Sequence, residues 1–126
     1  MSDQNNNSVI GQAWGLHRED RNDEAIDTFR TVLNADGDDI DANYGIGLAY
    51  RASGNAEKAV THMKRARQVV TRALLELREE QRREGVALAD NLRTTLADRY
   101  MMLSRMTYQR LSEMGVDVEL FDEEVF

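Results

Sequence analysis

A period of 34 residues constrains this chain more than any other feature. Set against the sequence 34 positions earlier, Ala59-Val60 falls on Ala25-Ile26, Met63 on Phe29 and Ala66 on Val32, while Gly47 falls on Ala13 and Tyr50 on Leu16. Small residues meet small ones and large apolar residues meet large ones. A fixed period of this length marks an array of helical units, each burying its apolar face against the next. At least two copies are present.

The spacing inside each copy makes physical sense. In the second, Ile46, Gly47 and Tyr50 share one helix face. Gly54 is a helix stop, since it enters the left-handed region with no Cβ penalty, and Asn55 is a good cap for the next helix. Ala59, Val60, Met63 and Ala66 then form a buried stripe. Gly47 and Ala59 are small enough for two antiparallel helices to approach closely. The first copy does the same with Ala13, Leu16, Ala25, Ile26 and Phe29, and Asn22 or Asp23 is expected to cap its second helix. Between the copies lies "NADGDDIDA", residues 34–42. A calcium-binding EF-hand loop needs Gly at its sixth place and Glu at its twelfth. Counted from Asn34, those places hold Asp39 and Gly45, so the stretch reads as a turn with Asp38 or Asp39 capping the following helix.

These residues resemble the tetratricopeptide repeat (TPR) family. Residues 40–73 match its unit with Ile46, Gly47, Tyr50, Ala59, Met63 and Ala66; residues 6–39 match with Ala13, Leu16, Ala25 and Phe29. The first copy departs at Gln12, where a large apolar residue belongs, and at Val32, where a small one does. Gly37 stands where the family's closing proline usually falls. The resemblance implies an all-α fold in which antiparallel helix pairs stack as a fragment of a right-handed α-solenoid. It also implies that the first helix of each pair lines a concave groove. Carried onto this sequence, the groove takes Ile10, Trp14 and Arg18 from the first copy and Tyr44, Leu48 and Arg51 from the second. Trp and Tyr at a groove centre are typical anchors for a bound peptide or helix. Trp14 packing inward, or beneath the chain's own C-terminal helix, is the competing arrangement. The subclass that clamps chaperone tails needs Lys and Asn at positions here held by Ile10, Trp14 and Gly45, so that activity is not expected.

Beyond residue 66 no turn opens a third copy. Ala59, Met63, Ala66, Val70, Ala73 (or Leu74) and Leu77 keep helical steps of three and four, predicting one helix from about Ala56 to Glu84. Gly85 is the expected turn. Leu88, Leu92, Leu96, Tyr100, Leu103, Thr107, Leu111 and Met114 then predict a long amphipathic helix over 86–114 that forms a hairpin with its predecessor. Residues 1–5 are expected to be a disordered polar start. The tail 115–126, "GVDVELFDEEVF", is either frayed, folded back onto the groove, or a linear motif anchored by Leu120, Phe121, Val125 and Phe126.

Composition narrows the function. With 126 residues, a net charge of −7 and no cysteine, the chain has one modest core and no means of thiol chemistry or thiolate metal binding. His17 and His62 have no ligand-like partner at helical spacing, and no nucleophile–base set or phosphate-cradling loop is present. Catalysis, metals and cofactors are therefore not expected. The basic residues Lys64, Arg65, Arg67, Arg72, Arg78, Arg82 and Arg83 are interleaved with acids and read as a solvated face, not as a nucleic-acid surface. No run is long and apolar enough to span a membrane, and no signal peptide is seen, so a cytoplasmic location is expected. The leading expectation is a non-enzymatic adaptor or scaffold holding a partner peptide or helix in the groove, with a homodimer through its C-terminal hairpin also open to it. The alternative is an assembly subunit that oligomerises or docks through its C-terminal helices and acidic tail.

Overall fold

The computed structural model describes residues 2–84 and 91–118, with side chains over 7–83 and 95–118. Five helices occupy the described residues: α1 (Ser2–Arg18), α2 (Asn22–Ala35), α3 (Ile40–Ala52), α4 (Ala56–Glu84) and α5 (Asn91–Glu113). There is no strand among them. The fold is all-α. α4 starts at Ala56 and is helical to Glu84, where the described residues break off, and α1 begins at Ser2, within the stretch expected to be disordered. Gly85 and its turn lie outside the described residues.

The period seen in the sequence recurs in the backbone. Two residues past α1, Asp20 has φ +62°, and two residues past α3, Gly54 has φ +89°. Arg21 N donates to Leu16 O at 2.9 Å, and Asn55 N donates to Tyr50 O at 2.8 Å. Asp20 N donates to His17 O at 3.0 Å, and Gly54 N to Arg51 O at 3.1 Å. The next helices open alike, with Ala25 N on Arg21 O at 3.0 Å and Ala59 N on Asn55 O at 3.1 Å. Each bond lies 34 residues from its counterpart. A left-handed residue followed by a bond back to the last turn is the standard way of satisfying a helix's orphan carbonyls. α5 is closed the same way, by Gly115 two residues past its end with φ +79° and by Val116 N on Leu111 O at 3.0 Å.

The helix starts are less uniform. Asn55 Oδ1 accepts from Lys58 N at 3.1 Å, and Asp39 Oδ1 accepts from Ala42 N at 2.9 Å, as caps should. Neither Asn22 nor Asp23 caps α2. Its cap position is Arg21, which makes no side-chain cap bond. The Asn22 amide oxygen lies 2.8 Å from His17 Nδ1 instead. Arg21 pairs with Glu24 and Glu19 on the surface, which holds the Glu24 carboxyl below its ordinary range.

The chain divides into two compact units, Met1–Ala66 and Arg67–Phe126. In the first, α1 packs on α2 and α2 on α3. Ala13, Ala25, Phe29, Val32, Ala42, Ala49, Ala59, Met63 and Ala66 are fully buried there. The closest approach is at Gly45, where a Cβ would lie 2.5 Å from Phe29 Cε1. At Gly47 a Cβ would meet Met63 Cε at 3.1 Å and Ala59 O at 3.4 Å. Gly45 therefore sets the α2–α3 spacing more stringently than the Gly47–Ala59 pair sets that of α3 and α4.

In the second unit Val70, Leu74 and Leu77 of α4 and Leu103, Thr107 and Leu111 of α5 are buried. The expected solvated basic face fails at Arg67, which is 6% exposed. Its Nη1 donates to Ser104 O at 2.8 Å, and its guanidinium lies 5.3 Å from the Tyr108 ring centre. A buried arginine is tolerable only with such partners.

Candidate partner-binding surface

α1 and α3 carry the residues expected to line a groove, all within the first unit. Trp14 of α1 is central. Its ring meets Phe29 edge-on at 5.5 Å and His17 at 6.0 Å, and lies tilted against Tyr44 at 6.3 Å. These separations suit favourable aromatic pairs. Trp14 and Leu48 are partly buried, Arg18 and Arg51 are exposed, and Ile10 and Tyr44 are only 9% and 6% exposed. Trp14 and Tyr44 are thus brought together, with one flank of Trp14 resting on the core through Phe29. Leu120, Phe121, Val125 and Phe126 lie outside the described residues.

The same unit contains a feature that the sequence reading missed. A shallow open cleft of about 360 Å³ lies where α2, the end of α3 and the start of α4 meet. Asp23, Asp27 and Arg30 line it from α2, Tyr50 from α3 and Lys58 from α4. Arg30 Nη2 donates to the Tyr50 hydroxyl at 2.5 Å, and Lys58 Nζ lies 5.5 Å from the Tyr50 ring centre. Two carboxylates offset two cations, so the cleft has no net pull on a charged ligand. Its residues come from three helices and share no local pattern, which is why spacing along the chain did not mark them.

Tyr50 also ends a part-buried polar chain. Asn43 is 2% exposed, and its amide nitrogen donates to Gly37 O at 3.1 Å and Asp39 O at 2.9 Å. Its amide oxygen lies 3.1 Å from His62 Nδ1, and the His62 ring stacks on Tyr50 at 5.6 Å and 14°. Burial, aided by Arg30 and Lys58, holds the His62 ring below its ordinary pKa. Burial also raises the Asp39 carboxyl, against the lowering effect of its bond from Ala42 N.

Among the described residues no three His, Cys, Asp or Glu side chains are grouped to hold a metal, and no helix is long and apolar enough to cross a membrane. Compared with protein-family models, with curated proteins and with solved structures, the chain matches none of them.

Proposed function

We propose that this chain is a small adaptor of TPR type that binds another polypeptide and performs no chemistry of its own. The observation that carries the reading is the recurrence, 34 residues apart, of both the buried stripe and the backbone bonds that close and open its helices. Arrays built this way work through the face that their first helices present. That face carries Trp14 and Leu48, partly buried, with the exposed cations Arg18 and Arg51. It suits an amphipathic helix or an extended apolar peptide that brings acidic residues to the two arginines.

The test is affinity capture from the source cell, comparing the full chain with Arg18→Glu/Arg51→Glu and with a chain truncated before Gly115. Both substitutions are on exposed side chains, so circular dichroism and melting should be unchanged. Loss of a partner with the charge reversal and its retention after truncation support the groove. The opposite pattern rejects it.

One observation favours the alternative of an assembly subunit. Leu75 and Met102, on the two long helices, are 48% and 53% exposed. Singly exposed apolar side chains are ordinary, so the reading requires these two to belong to one apolar patch that a second copy covers. Truncation before Gly115, followed by light scattering and capture, separates the two readings: loss of assembly with the repeat surface intact favours the assembly subunit.

A further inference from the structure

We infer that the junction of the inter-repeat turn, α3 and α4 is a pH-sensitive latch, held by the neutral His62 ring and loosened when that ring takes up a proton. The geometry first fixes the proton on the ring. The Asn43 amide nitrogen faces two carbonyl oxygens, of Gly37 and Asp39, so it must be the donor end of the amide. Its oxygen is therefore the acceptor toward His62, and His62 Nδ1 must carry the hydrogen. The neutral ring is then the Nδ1–H tautomer with a bare Nε2. Through that bond one side chain of α4 ties α3, by way of Asn43, to the turn at residues 37–39; the bond survives a proton on Nε2, so what loosens the junction is the added charge and not the loss of the donor.

A proton on Nε2 enters an unfavourable setting. From α2, Arg30 bonds the Tyr50 hydroxyl, with Asp27 on its other side. From α4 itself, Lys58 lies over the Tyr50 ring. From α3 come Tyr50, whose ring stacks on the imidazole, and neutral Asn43. From the turn, Asp38 pairs with Arg65, and Asp39 caps α3. An aromatic face does attract a cation. Here that ring already has Lys58 over it and Arg30 on its hydroxyl, so an imidazolium would be a third positive charge around one tyrosine, in a partly buried place.

The sign follows by linkage. Well above the unfolded histidine value of about 6.5, the ring is neutral in both states and the latch contributes fully. As pH falls through that value, the unfolded chain takes up the proton before the folded one does. Stability is therefore lost until the folded ring is charged as well. Because Asn43 adjoins Tyr44, acid should also weaken partner capture, a consequence that rests on the adaptor reading proposed above.

Nitrogen-15 NMR of the imidazoles in the full chain tests the latch without any partner. The expected result is a hydrogen on Nδ1, a bare Nε2, and a His62 titration midpoint below about 6.5. A midpoint at or above that value, or a neutral ring protonated on Nε2, overturns the proposal. Thermal melts of wild type and His62→Phe, which keeps a flat ring on Tyr50 but cannot titrate, give a second reading. Wild type should lose its advantage between about pH 7.5 and pH 5.5 as the ring titrates, and a constant gap across that range overturns the latch. If His62→Phe does not fold, the NMR midpoint alone decides.

Discussion

Two glycines at equivalent places in the two copies have opposite surroundings. Gly45 lies against the Phe29 ring, whereas Gly11, 34 positions earlier, has nothing within 4 Å of its missing Cβ. No described residue packs against Gly11 on that side of α1, so among the described residues the copy-one glycine has no contact to protect. Gly45→Ala should therefore destabilise the chain by about 1–3 kcal/mol through overpacking. Gly11→Ala should stabilise it by about 0.5–1 kcal/mol, since alanine holds a helix better and restricts the unfolded chain. Thermal melts of both variants check the contrast; equal effects would mean that α2 and α3 are not held at Phe29. A similar asymmetry exists at the helix stops. Asp20 adopts a left-handed φ where the second copy uses Gly54. Asp20→Gly is expected to raise the melting temperature, and Gly54→Ala to lower stability by about 1 kcal/mol or more.

At the scale of elements, the caps decide what the sequence could reveal. Gly54, Asn55, Asp39 and Gly115 act as their residue types suggest, because each works through its own backbone neighbours. Arg21 was not readable as the α2 cap position, because Asn22 beside it is the better capping type but is engaged by His17. Removing a cap that does work, with Asp39→Ala, should cost about 1 kcal/mol in chemical denaturation. Arg67 shows the same limit. Its charge and position suit a solvated face, and only the arrival of Ser104 and Tyr108 from α5 makes burial tolerable. The polar chain through Asn43 and His62 was hidden for that reason too, since its members come from a turn and two helices. Periodicity reports which faces are apolar, and it is silent about polar groups that meet across helices.

For the whole molecule, the 34-residue duplication made the all-α fold readable, and the two long helices followed from unbroken apolar steps. What spacing does not contain is how much of Trp14 and Tyr44 stays in water, because that depends on neighbours distant in the chain. The two functional readings separate here. If assembly through Leu75 and Met102 is the working function, Leu75→Glu/Met102→Glu should turn an oligomer into a monomer by light scattering and abolish partner capture; an adaptor keeps its partner through these changes. The most direct measurement is hydrogen–deuterium exchange of the full chain, alone and with the polypeptide recovered in capture. Slowed exchange over residues 10–18 and 41–51, around Trp14 and Leu48, is the expected result. Slowed exchange confined to residues 91–126, with α1 and α3 unchanged, would contradict a partner held by the repeat surface.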